Sequence, residues 1–293
     1  MKKKSIQSQI ILITIFTIVC ALIIFPFLLV VSVSLSREAD IVEYGYRLIP
    51  KNLDLSAYKY VLESPQAIID AYKITIAESF LGTFLSVLLM AMAAYALSVK
   101  ALKGRSFFSM FFYFTMLFSG GLVPTYILNT QYLHLNDTFW IYIFPNLVNV
   151  WHMFMMRTFF SQIPGEISES AMIDGASEYR IFLQMIIPLS KPVIATVFLL
   201  GFLGRWNQWN TALLYIDNPK LVSLQYLLQK IMKNIQVLQQ SAEMGISVEA
   251  TSDIPSETAR MAMAVVVAGP ALLIFPFFQK YFVKGLTVGS VKG

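Results

Sequence analysis

The chain has few of the residues from which enzyme and metal sites are built. Of its 293 residues, one is cysteine and two are histidine. Cys20 alone excludes an internal disulfide, a CxxC redox pair and a cysteine-ligated zinc site. His134 and His152 are far apart in sequence and lack a neighbouring group of metal ligands, so both read as polar boundary residues. The apolar runs hold no paired carboxylates, HExxH or serine–histidine arrangement, which argues against a membrane-embedded enzyme. A nucleotide-binding P-loop is also missing, so the chain cannot hydrolyse ATP alone.

Charge is scarce as well. Charged residues make up 13% of the chain and hydrophobic residues 57%, too few polar groups to cover a soluble surface. The net charge of +5 is scattered between apolar runs and forms no basic stripe, so nucleic acid is not a partner expected from it. Ionisable residues are nearly absent from the middle of those runs, unlike in an ion-coupled secondary transporter.

What the chain has in abundance is apolar sequence long enough to cross a membrane, for which roughly 20 residues suffice. Residues 10–35 form the first run. It follows Lys2, Lys3 and Lys4 but is too long for a signal-peptide core and ends without an A-x-A site. Runs at 74–98, 107–128, 138–156, 192–209 and 262–282 complete six expected spans. The second is rich in small residues, including Gly82, Ser86, Ala91 and Ala94, and is expected at the centre of the bundle. Lys100, Lys103 and Arg105 fill one short loop, whereas the short loop 129–137 has no Lys or Arg, which places both termini in the cytoplasm. Glu78 and Arg205 fall near outer boundaries and are expected to snorkel. The outer loop 36–73 is expected to hold a short helix near residues 55–62. The outer loop 210–260 carries Leu224, Leu227, Leu228 and Ile231 at helical spacing.

One cytoplasmic segment interrupts this pattern. In "IPGEISESAMIDGASEYRIFLQMIIPLSKP", Pro164 suits a helix start, and Glu166 and Glu169 suit the positive end of its dipole. Asp174 and Gly175 form a corner, with Asp174 expected to cap the next helix. That helix places Tyr179, Phe182, Leu183, Ile186 and Ile187 on one face. Two uses fit such a pair: a connector lying on the lipid surface, or an element docking into a soluble partner.

Here the residues carry a resemblance. Glu169, Ala171, Gly175 and Pro188 stand at the spacing of the EAA loop of ABC-importer permeases, with Ser170, Met185 and Ile187 as mild departures. "AAYALS", "WNQWN" and the terminal "FFQKYFVKGLTVGSVKG" are similar to the maltose-type, carbohydrate-importing branch. The resemblance covers most of the chain. It implies one all-α permease domain over residues 1–293, in the bacterial cytoplasmic (inner) membrane. The implied partners are a second related permease, two ATP-binding cassette subunits and an extracytoplasmic solute-binding protein. The substrate would be an oligosaccharide or polysaccharide fragment. This chain would hold no cofactor, with ATP and Mg bound by the partner ATPase. Glu169, Ala171, Asp174, Gly175, Ala176, Phe182 and Pro188 would form the ATPase-coupling element, which moves as a rigid handle. An importer of a non-carbohydrate solute on the same architecture is the alternative.

Sugars bind through aromatic faces combined with oriented polar groups. Tyr126, Asn149, Trp206, Asn207 and Trp209 are therefore candidates for the substrate path, with Asn146 and Trp151 as further contributors. Trp is equally suited to anchoring at a membrane interface.

Overall fold

A computed structural model describes residues 6–63, 65–243 and 256–288. The basic start Lys2–Lys4, residues 244–255 of the second outer loop and the tail from 289 lie outside the described residues. Those described are almost wholly helical, with one isolated bridge between Ser36 and Leu53. They divide into two compact units, one of residues up to 65 and 228–270, the other of 66–227 and those from 271.

In the first unit, α1 (Ile6–Ser34) has an 18-residue apolar window with none of its surface buried. Among its described residues only the last, Ser32, Val33 and Ser34, are buried, and a helix apolar on every side over this length is long enough to cross a membrane. Two short helices follow, α2 (Glu38–Tyr44) and α3 (Ser56–Val61), the latter where a helix was expected in the outer loop. The Glu38 carboxylate receives the amides of Glu257 and Thr258, both at 2.9 Å. It thereby caps orphan donors at the start of the last helix, which runs Ser256–Val288.

The second unit is built on α4, Pro65–Ser98, which begins nine residues before the expected span. A π-helical turn, Glu78–Gly82, interrupts it. The small side chains of α4 let its neighbours approach closely, as anticipated, and Ser79, Thr83, Ser86, Ala91 and Ala94 are all buried. α5 (Arg105–Leu117) and α6 (Leu122–Tyr132) replace the expected third span and are bent by 110° at Gly120–Gly121, where Gly121 has φ +87°. The expected fourth span, 138–156, is not one helix. Two 3-10 turns, Phe139–Tyr142 and Phe144–Asn146, precede α7 (Val150–Phe160). Pro145 removes a backbone donor there, and the Asn149 side chain caps α7 by accepting the His152 amide at 3.0 Å.

α8 (Gly165–Ile173) and α9 (Glu178–Leu189) form the expected helix pair, and α10 (Lys191–Trp206) leaves α9 at 81°. The core joins Val87, Met90 and Leu97 of α4 to Met153 and Met156 of α7, Ile181 and Ile186 of α9, and Val197 of α10. A second cluster packs Ile141 and Tyr142 against α11 (Asn210–Tyr215). α12 (Leu224–Glu243) begins with the Leu224 amide bonded to Thr75 Oγ1 at 2.8 Å. By length and composition, three helices can cross a membrane among the described residues, or up to five if each bent pair counts as one span.

Candidate functional site

The corner between α8 and α9 has a specific backbone cause. Gly175 takes φ +78°, which side-chain-bearing residues rarely adopt. Its amide returns to Met172 O at 3.0 Å and the Ala176 amide to Ala171 O at 2.9 Å, the paired bonds of a Schellman end. Asp174 closes α8, contrary to its expected capping of the next helix. Ser177 takes that role instead, its hydroxyl accepting the Arg180 amide at 3.4 Å. Pro164 precedes α8 and the first helical residue is Gly165.

Burial divides the apolar side chains of this pair. Ala171, Ile181, Phe182 and Ile186 sit in the core. Ile173 is 87% exposed, Tyr179 72% exposed, and Met172 and Leu183 are also exposed. The single amphipathic face expected for α9 is therefore two faces, and Phe182 anchors the element to its own chain. Glu169 and Pro188 are exposed.

A second polar group lies within the helices. Glu78 is 0% exposed and Arg205 6% exposed, so neither snorkels. The irregular backbone at 139–149 supplies the reason for Arg205. Its Nη1 donates to Tyr142 O at 2.9 Å and its Nη2 to Asn146 O at 2.7 Å, satisfying carbonyls that a continuous helix would have paired internally. Room for the guanidinium comes from Gly82 in the π turn, where a Cβ would stand 2.7 Å from Nη1. Among the described residues, the Glu78 carboxylate oxygens and the Ser79 and Thr83 hydroxyls have no hydrogen-bond partner. Thr83, Asn146, Asn149, His152, Arg205 and Gln208 line a cavity of about 230 Å³ beside this group.

The five aromatic and amide candidates are not brought together. Asn149 lines the cavity. Trp206 is 2% exposed and stacked on Phe202 with centroids 5.7 Å apart, leaving no free ring face. Tyr126 stacks on Tyr215 at 5.4 Å. Asn207 donates to Leu203 O and accepts from Gln225 Nε2 at 3.1 Å, while Trp209 is half-buried ahead of α11. Arg205, His152 and Gln208 were not among the candidates. The signal for Arg205 was present, since a charge inside a long apolar run is unusual.

No family model matches the chain. Curated proteins do match over nearly its whole length. Protein LplC of Bacillus subtilis is 36% identical over 273 residues, 93% of this chain and 90% of that protein. The polygalacturonan/rhamnogalacturonan transport system permease protein YtcP of Bacillus subtilis is 36% identical over 279 residues, 95% of this chain and 94% of that protein. Among solved structures, a chain of a bacterial ABC transporter involved in import of the acidic polysaccharide alginate superposes with a TM-score of 0.81. Its identity is 29%, over 96% of this chain and 100% of that one.

Proposed function

Because this chain belongs to the permease subunits of sugar ABC transporters, we propose that it forms half of the membrane pathway of an importer for an oligosaccharide or polysaccharide fragment. It is a transport subunit of a membrane complex, and ABC-transporter partners follow from the family. The finer reading is ours: six spans with both termini in the cytoplasm of a bacterial inner membrane, and a second related permease beside this one. Two separate ATPase subunits would bind ATP and Mg, an extracytoplasmic protein would deliver the sugar, and this chain would hold no cofactor.

The observation that carries the mechanism is the two-faced corner of α8 and α9. Ala171, Ile181 and Ile186 fasten the element to the permease core, while Met172 and Ile173 at the corner stay exposed. An apolar face left uncovered beside a rigid turn suits insertion into a groove of another protein. On this reading Glu169 pairs with a basic residue of the ATPase. Gly175 sets the angle, with Asp174 and Ala176 completing the turn, and Pro188 ends the element. Closure of the ATPase dimer then displaces the handle and reorients the cavity.

Sugar passage falls to the polar cavity beside Arg205. Asn149, His152 and Gln208 offer hydroxyl partners there, whereas Tyr126, Asn207 and Trp209 do not line this cavity. For substrate class we favour uronate-bearing fragments, because compared proteins are named for polygalacturonan and for the acidic polysaccharide alginate. The test is ATP hydrolysis by the co-expressed complex in lipid vesicles with its binding protein, challenged with oligogalacturonides and with maltotriose. Stimulation by oligogalacturonides is expected. Stimulation by maltotriose alone, or by neither sugar, contradicts the uronate assignment.

A further inference from the structure

The handle must transmit force, and apolar packing alone is poorly suited to that because it is non-directional. Greasy surfaces slide on one another, whereas a short charge-assisted hydrogen bond fixes register. One such bond joins the handle to the central helix. The Tyr95 hydroxyl, three residues from the end of α4, donates to Glu178 Oε2 at 2.6 Å. Glu178 is the first residue of α9, directly after the corner. The Tyr95 ring also lies on Phe182, centroids 5.3 Å apart and planes tilted by 35°. A single side chain therefore grips α9 at two points one helical turn apart. Beside this grip runs a crevice of about 530 Å³, lined by Met92, Val99, Leu102 and Tyr179 among others. The crevice leaves space into which α9 would rotate if the grip were released.

We propose that Tyr95 is the positioning residue that locks the coupling element to α4, so that displacement of the corner moves this span with it instead of slipping past it. The inference rests on the coupling reading above. Its test uses the co-expressed complex in lipid vesicles, with the native thiol removed (Cys20→Ser) and a reporter thiol introduced near the far end of α4 (Ile69→Cys). Maleimide labelling of that thiol is timed with and without ATP plus vanadate.

In the otherwise unaltered complex, nucleotide is expected to change the labelling rate. Tyr95→Phe keeps the ring contact and loses only the hydroxyl. It should leave subunit assembly intact and ATP hydrolysis within about twofold, yet shrink the nucleotide-driven change at least about fivefold. Glu178→Leu should do the same, and the double variant no more than either alone, because both remove one bond. Glu178→Gln, which keeps an acceptor oxygen, should retain most of the effect even if Tyr95→Phe assembles poorly. A full nucleotide effect in Tyr95→Phe, or losses that multiply in the double variant, overturns the proposal. So does an unaltered complex whose labelling ignores nucleotide. Gly175→Pro separates the two levels. If it leaves the nucleotide effect intact, the coupling reading itself fails. If it abolishes the effect while Tyr95→Phe does not, only the Tyr95 grip is refuted.

Discussion

Arg205 shows how one residue can hold an irregular backbone inside a membrane protein. Its two bonds satisfy the carbonyls of Tyr142 and Asn146. Replacing it by Met leaves both acceptors unpaired and Glu78 without its compensating charge. Removing one partner of a buried charge group typically destabilises by roughly 3–5 kcal/mol. Arg205→Met is thus expected to lower the unfolding temperature of the detergent-solubilised complex clearly. Adding Glu78→Gln should recover part of that loss, since no uncompensated carboxylate then remains. An unchanged unfolding temperature in Arg205→Met would show that the carbonyls have other partners. Gly82→Ala should reproduce a share of the effect by pushing the guanidinium off its acceptors. At Gly175 the expected change is local. Alanine at φ +78° costs about 1–2 kcal/mol, so the amides of residues 175 and 176 should exchange hydrogen about tenfold faster. Unaltered protection of those amides would contradict the requirement for a left-handed residue at this corner.

Among the elements, the corner and the 139–149 segment contrast in how much the sequence tells. The corner was legible because its causes are local: a glycine after a short acidic helix, then a helix-period apolar pattern. Only the capping residue and the division of the apolar face differed, and the division depends on what α4 and α7 present to α9. Residues 138–156 read as an ordinary span because hydropathy registers composition alone. Pro145 was a local sign of the break that the span reading passed over, and the partner that satisfies the freed carbonyls, the Arg205 guanidinium, lies about 60 residues further along, outside any window on that segment. For the same reason Arg205 was expected at the surface and Trp206 along a sugar path. The exposed side of the corner supplies its own prediction. Ile173→Asp places a charge on a side chain that is 87% exposed, so the unfolding temperature should be unaffected. Capture of the ATPase subunit should weaken at least about tenfold. If capture is unaffected, Ile173 faces lipid or water and the docking surface lies elsewhere.

For the whole molecule, class and family were legible because lipid imposes a coarse rule that sequence cannot hide: long apolar runs with their backbone bonds closed within helices. The match to a polygalacturonan/rhamnogalacturonan transport system permease protein over 95% of the chain agrees with that rule. The polar cavity was less legible, because apart from Arg205 its groups are unremarkable in their own stretches of sequence and converge from separate segments, Thr83 from α4, Asn146, Asn149 and His152 from 146–152, and Gln208 from just after α10. The central claim is that this subunit transports sugar by being moved through α8 and α9. The measurement that tests it most directly is ATP hydrolysis by the complete complex with its binding protein and oligogalacturonides, comparing the unaltered chain with Glu169→Lys and Gly175→Pro. Reversing the charge at a proposed ion pair and removing the left-handed turn should each cut stimulated hydrolysis at least about tenfold. Undiminished stimulation and transport in both variants would mean that α8 and α9 are a passive connector.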